Sequence, residues 1–238
     1  MRHLQEKICL VVPCYNEAKR LDFEKFRAAE DYYFLFVNDG STDNTMEVIN
    51  NNLGENIFIL NLEKNMGKGE AVRRGFLRAK ELPIFQEVNW IGFIDADLAT
   101  PLSELGKFLF FCEFYEERID AVWGSRVRRL GSHIERSAIR HYLGRVFATI
   151  VRVVLKLDSY DSQCGAKLFR KEIVDEFFSE PFISSWAFDI ELLLRMSGSK
   201  IIEYPLQEWK DVQGGSLTIP SASLKMVYDI LKLRLKYF

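Results

Sequence analysis

An α/β fold with a mostly parallel central sheet and helices on both of its faces is predicted by three observations. Short, continuous apolar runs recur along the first half of the chain. Helical patterns separate them, and polar turns rich in carboxylates follow them. Apolar runs that do not alternate with polar residues indicate a sheet covered on both faces. Strand alternating with helix indicates βαβ units and parallel pairing.

The strands follow in order. Ile8–Val12 is the first, ended by Pro13, and Tyr33–Val37 is the second, ended by Asn38-Asp39-Gly40-Ser41. Ile57–Leu60, Trp90–Ile94 and Ala121–Gly124 continue the series. Helical patterns over Asn44–Leu53, Lys68–Glu81 and Pro101–Glu117 lie between them. Beyond this point the character changes. Arg136–Leu157 is long, apolar on one side and studded with arginine. Ala166–Phe169 and Ile201–Tyr204 read as short strands, Trp186–Met196 as a helix and Ser221–Phe238 as an amphipathic terminal helix. No Pro/Gly/Ser-rich linker divides the chain, so residues 1–238 are expected to form one domain.

The bulk numbers exclude several classes. The chain has 238 residues, 48% of them hydrophobic and 28% charged, an ordinary globular composition. A net charge of −2 gives no global basic field for nucleic acid. Cys9, Cys14, Cys112 and Cys164 form no Cys-x-x-Cys pair, and the polar Met1–Lys7 segment is no secretory signal, which points to a reduced, cytoplasmic setting. No apolar run reaches the length of a membrane span.

The stretch Ile91-Gly92-Phe93-Ile94-Asp95-Ala96-Asp97-Leu98-Ala99-Thr100-Pro101 organises the rest. It reads as strand, acidic turn and helix start, with two carboxylates where open α/β sheets bind ligands. Mg²⁺ takes one or two protein carboxylates and leaves its other positions to phosphates and water. Four further motifs belong with it. Tyr15 and Glu17 at the first strand's edge can flank a heterocycle and bond its sugar. Asp39 can accept the N–H of a base, while Ser41, Thr42 and Asp43 offer N-cap oxygens to the next helix. Asn65-Met66-Gly67-Lys68-Gly69 opens a helix whose amides favour an anion, although the Walker A order is absent. Gly124-Ser125-Arg126 is followed closely by Arg128, Arg129, Arg136, Arg140 and Arg145, an arginine cluster suited to a bound phosphate. His133 and His141 lack partners at metal-ligand spacing. Cys164 reads as a small buried residue, and Asp189 and Glu191 sit at a helix start, where the dipole favours carboxylates.

Pro13-x-Tyr15-Asn16-Glu17, Asn38-Asp39-Gly40-Ser41-x-Asp43, Asn65-x-Gly67-Lys68-Gly69, Asp95-Ala96-Asp97 and Gly124-Ser125-Arg126 occur in one order. In that order they resemble inverting glycosyltransferase family 2, with its Rossmann-like GT-A fold, a three-layer α/β/α sandwich. Asp161-x-Gln163-Cys164-Gly165-x-Lys167-Leu168-Phe169 and Trp186-x-Phe188-Asp189-x-Glu191 are similar to the polyprenyl- and dolichyl-phosphate sugar transferases, above all the β-glucosyl type. The resemblance spans nearly the whole chain. It implies a nucleotide-sugar half over 1–125 and an acceptor half over 126–238. Pro13, Tyr15, Glu17 and Asp39 would hold the nucleoside, with Lys68 near that pocket and Ala96 between the acids. Asp95 and Asp97 would sit around Mg²⁺ or Mn²⁺, Asp97 as the direct ligand. Arg126, Arg136 and Arg140 would handle donor and acceptor phosphates.

There are departures. Mannosyl-type relatives carry a Gln where this chain has Ala99, which weakens a GDP-mannose reading. Eukaryotic glucosyl enzymes carry an N-terminal anchor, so a chain that opens on its first strand is expected to be a shorter relative. The implied reaction is in-line displacement at the anomeric carbon. A phosphate acceptor needs positive charge rather than a base; a hydroxyl of a glycan or wall polymer would need one, and Asp189 is the candidate. Leu224, Val227, Leu231 and Leu235 share one face of the last helix, with Lys225, Lys232 and Lys236 on another. That pattern suits peripheral binding to the cytoplasmic face of a membrane, or packing on the core. Exposed apolar surface also allows a homo-oligomer. A non-catalytic nucleotide-sugar-binding module is the reading outside enzymes.

Overall fold

The computed structural model describes residues 7–212 and 219–238, without the side chains of 138–140 and 219–227. The expectations placed on Met1–Glu6 and on the side chains of Arg140, Leu224, Lys225 and Val227 lie outside the described residues.

The elements are β1 (Lys7–Cys14), α1 (Phe23–Arg27), β2 (Tyr32–Asp39), α2 (Thr45–Asn50), β3 (Ile57–Leu62), α3 (Lys68–Ala79), β4 (Val88–Ile94), α4 (Ser103–Cys112), β5 (Ala121–Ser125), β6 (His133–Glu135), α5 (Ala138–Leu155), β7 (Ala166–Arg170), α6 (Val174–Phe178), α7 (Phe188–Arg195), β8 (Ile201–Pro205), β9 (Glu208–Lys210) and α8 (Ile219–Tyr237). They form two compact units: Met1–Leu98 with Gly165–Pro181, and Ala99–Cys164 with Phe182–Phe238. The division after Leu98, and the return of 165–181 to the first unit, differ from the expected halves at 125/126. The reason is pairing: β7 comes late in the chain but lies against β4.

The first unit is built on strands in the order β3-β2-β1-β4-β7. The first four run parallel, and β7 is antiparallel, with Phe93 opposite Lys167 and Ile94 opposite Ala166. Cys9–Val12 and Phe34–Val37 have no solvent exposure at all, which is why their runs are continuous rather than alternating. Neighbouring residues of β2 point to opposite faces. Phe23 and Phe26 of α1 pack on Phe34 and Phe36 from one side. On the other side α3 comes so close that a methyl on Gly75 would strike Val11 and Val37. Fully burying one such Phe is worth about 1.5–3 kcal/mol, so even the five-residue α1 is held by its two rings. With β2 on one side of β1 and β4 on the other, the strand order reverses direction at β1. In open α/β sheets the ligand crevice opens at that switch, outside the carboxyl ends of the strands.

In the second unit β5 pairs with β8 and β6 with β9, both in parallel. Helices α5, α7 and α8 close on one cluster that includes Val151, Leu155, Ile190, Leu194, Ile230 and Leu233.

Every expected element is present with its ends adjusted. β1 runs on through Pro13, which lies beyond the last pair with β4, Val11 and Phe93, so its missing N–H breaks no bond to that strand. α2 starts at Thr45, and α4 stops at Cys112 rather than 117. The elements without a sequence signal, α1, α6, β6 and β9, are of three to five residues, too short for a period to show.

Candidate active site

In the first unit the predicted residues gather where they were expected, at the carboxyl ends of β1, β2 and β4. After β4 the chain makes a tight turn, closed by the Leu98 amide donating to the Asp95 carbonyl at 3.0 Å. Leu98 stands at φ 49°, a left-handed conformation costly for a branched side chain. Both acids thus lie beyond the last residue of β4, and Ala96 between them is buried.

Asp95 is held from two sides. Its amide donates to the Gly165 carbonyl at 3.1 Å, and Lys68 Nζ lies 2.5 Å from its Oδ1. Lys68, expected near the nucleoside pocket, thus carries its positive charge to the first of the two acids. Its ammonium also lies 5.7 Å from the centre of the Phe93 ring.

Glu17 senses the acidic pair. Burial raises its pKa, Arg20 opposes that through an ion pair, and the charges of Asp97 and Asp95 raise it further. Glu17 Oε2 is buried with no hydrogen-bond partner among the described residues. Tyr15 beside it is 44% exposed, open to stacking. The loop that carries them is laced to the β2–α2 turn. Asn16, at φ 56°, donates its amide to Ser41 Oγ and accepts from the Thr42 amide at 2.8 Å. The Glu17 amide donates to Thr45 Oγ1 at 2.8 Å. Ser41 and Asp43 were expected to cap the next helix. Ser41 is used instead to brace the Tyr15–Glu17 loop, and Asp43 divides itself between that loop and Thr45.

Asp39, expected to hold the nucleoside, is buried and has partners within the chain. Its two oxygens accept the amides of Met66 and Gly67 at 2.7 and 2.9 Å. Burial pushes its pKa up and those amides pull it down. The anion drawn to the start of α3 is therefore the chain's own carboxylate, and it pins the glycine-rich loop to β2. Gly67 makes the turn at φ 86°.

In the second unit Arg126 does not reach out freely. Its Nε and Nη2 grip Asp161 at 2.6 and 2.7 Å, and its amide adds a third bond at 3.0 Å. Burial would raise the Asp161 pKa, but Arg126 holds it down at about 2. Trp209 lies 5.4 Å from the guanidinium. A cleft beside this pair is lined by Arg126, Arg136, His141, Arg145, Tyr160 and Gln163. Burial lowers the pKa of Arg136, and Arg126 adds to that effect. Arg145 lies over the Tyr160 ring at 3.9 Å and donates to its carbonyl. Asp189 is buried at the second position of α7, and Glu191 beside it accepts from the Ile183 amide, Arg195 and the Tyr237 hydroxyl. Asp161, Tyr160 and Trp209 had been given no role from sequence. Only the Asp161-x-Gln163 motif could have suggested the first; Trp209 carried no signal.

The profile described as Glycosyl transferase family 2 matches residues 9–178. The chain belongs to this family. It is therefore a glycosyltransferase, and curated members of the family align with nearly all of it. A dolichyl-phosphate beta-glucosyltransferase of Trichomonas vaginalis is 33% identical over 95% of this chain and 72% of its own length. The enzymes of that name from Dictyostelium discoideum and Homo sapiens are each 30% identical, over 97% and 98% of this chain and 74% and 76% of theirs. Among solved structures, glucosyl-3-phosphoglycerate synthase from Mycobacterium tuberculosis with Mn²⁺ and UDP-glucose superposes with a TM-score of 0.69 at 17% identity, covering 96% of this chain and 79% of that one. The same enzyme with Mn²⁺, UDP and its glucosylated product gives 0.68 at 18%, covering 98% and 80%. The fold is thus GT-A, and neighbours of this fold hold Mn²⁺ or Mg²⁺ with UDP.

The donor set of this chain fits such an ion. Two carboxylates stand at the end of β4, and among the described residues no cluster of three or more His, Cys, Asp or Glu forms a closed protein cage. That leaves positions for diphosphate oxygens, the usual arrangement for Mg²⁺. Lys68 already places a positive charge on Asp95.

Proposed function

We propose that this enzyme transfers glucose, with inversion, from UDP-glucose to the phosphate of a polyprenyl or dolichyl lipid at a membrane surface. The observation that carries the reading is the acidic turn Asp95–Leu98 at the β1/β4 switch point, in a chain whose curated relatives are named for glucosyl transfer to dolichyl phosphate. A bound Mg²⁺ or Mn²⁺ would supply Lewis-acid stabilisation of the departing diphosphate. Asp97 and Asp95 would hold it. Tyr15 would stack on the base, Pro13 would line that edge, and Glu17 Oε2, buried and unbonded among the described residues, would accept from the nucleoside. Asp39 would serve the nucleoside pocket by fixing its wall.

The acceptor asks for cations. Arg136 and Arg145 line the second unit's cleft, and Arg126, locked on Asp161, adds fixed positive charge. Arg140 is assigned to the acceptor with them. Asp189 is only 5% exposed, a poor position for a base that must meet a glycan hydroxyl.

Membrane contact would come from α5 and α8. No described helix is long and apolar enough to cross a membrane. Yet Tyr142, Leu143, Val146, Ile150 and Val153 of α5 are all exposed and fall within about a 100° arc of the helix. Leu231 and Leu235 of α8 are exposed too, while Ile230 and Leu233 pack inward. The same helix therefore packs on the core and leaves an apolar edge, flanked by Lys232 and Lys236, for the cytoplasmic leaflet.

The deciding experiment incubates the enzyme with UDP-glucose, Mn²⁺ and either dolichyl phosphate or a glycan acceptor. Glucosylated lipid is expected. Transfer to the glycan alone would overturn the lipid reading.

A further inference from the structure

We infer that Gly165 is a positioning residue for the reaction: its missing side chain forms the slot that holds the Asp95 carboxylate in place for the cation. The inference rests on Asp95 serving the metal–diphosphate, as proposed above.

A β-carbon built on Gly165 would lie 2.0 Å from Asp95 Oδ2, 2.4 Å from its Cγ and 3.0 Å from its Oδ1. Carbon and oxygen cannot approach so closely, so one of them must move. The backbone does not offer that freedom. Asp95 N donates to Gly165 O at 3.1 Å, and the next pair along, Ile94 with Ala166, is in register in the antiparallel ladder of β4 and β7. Gly165 and Ala166 are buried. What can move is the Asp95 side chain, rotating out of the slot.

Such a rotation gives up the Lys68 contact and turns the carboxylate away from the cation's position. Asp95 Oδ1 is engaged by Lys68, so the slot on the Oδ2 side and the ammonium on the Oδ1 side together set the direction of the carboxylate. A metal ligand depends on this kind of outer support, whose loss typically costs about 10–100-fold in metal affinity.

The test measures Mn²⁺ binding to the full chain in the presence of UDP, by electron paramagnetic resonance of free Mn²⁺, for wild type, Gly165→Ala and Asp97→Ala. Gly165→Ala is expected to weaken Mn²⁺ binding about tenfold or more. Full-strength binding by Gly165→Ala beside a clear loss in Asp97→Ala overturns the inference and leaves the metal reading standing. Full-strength binding by Asp97→Ala overturns the metal reading itself. A double-mutant cycle of denaturant stability covers the case in which Gly165→Ala folds poorly. If the methyl strikes Asp95, its stability cost vanishes in an Asp95→Ala background. An equal cost in both backgrounds would place the clash elsewhere and defeat the slot.

Discussion

Asp161 shows how one buried carboxylate can lock a guanidinium in place. Its pKa of about 2 lies below the ordinary value because Arg126 outweighs the effect of burial. A depressed folded-state pKa gives stability that is complete above the unfolded pKa, near 4, and is lost as pH falls through about 2. The size is on the order of 2 kcal/mol. Asp161→Asn is therefore expected to destabilise the protein at pH 7, by about 3–5 kcal/mol if Arg126 stays buried without its partner. The gap from wild type should narrow between pH 4 and 2, read by urea titration at each pH. Asp97→Ala acts on chemistry instead. It should cut turnover about a thousandfold or more, the worth of several kcal/mol of charge stabilisation, with the thermal midpoint little changed. Arg136→Ala should raise the KM for lipid phosphate more than it lowers kcat, as loss of a binding contact does.

Elements carry a different kind of consequence. A helix that buries one face and exposes an apolar strip beside it invites a second partner. In α5 the inner face is Val151 and Leu155, and the outer strip holds Val146 and Val153, 59% and 73% exposed. Val146→Glu with Val153→Glu should leave the fold intact, since neither residue is in the core. Co-sedimentation with anionic liposomes should fall severalfold. Unchanged co-sedimentation would remove α5 from the membrane face. The acidic turn is also an element-scale device. Leu98 holds a left-handed conformation at its end, where its amide bond to the Asp95 carbonyl closes the turn.

For the whole molecule, the switch in strand order at β1 marks the crevice where the proposed donor would bind. UDP with Mn²⁺ is expected to raise the thermal midpoint more than GDP with Mn²⁺, and chelation should abolish the difference, because only ligand bound to the native state stabilises it.

The sequence by itself determined most strands and helices, the acidic turn and the family. Those features are local or nearly so: an apolar run buried on two faces is written in consecutive residues, and a motif is a short string. Tertiary structure alone decided who meets whom. Lys68 and Asp95, Asp39 and the Gly67 amide, Arg126 and Asp161, and Asp95 and Gly165 are 27 to 70 residues apart. Each pairing depends on strand order and register, with β7 returning antiparallel to β4, and a single chain read in order carries no distance across strands. Asp39 and Arg126, which the motifs assign to ligand, each also grip a partner within the chain for that reason: a carboxylate or guanidinium largely withdrawn from water takes the nearest partner the fold supplies.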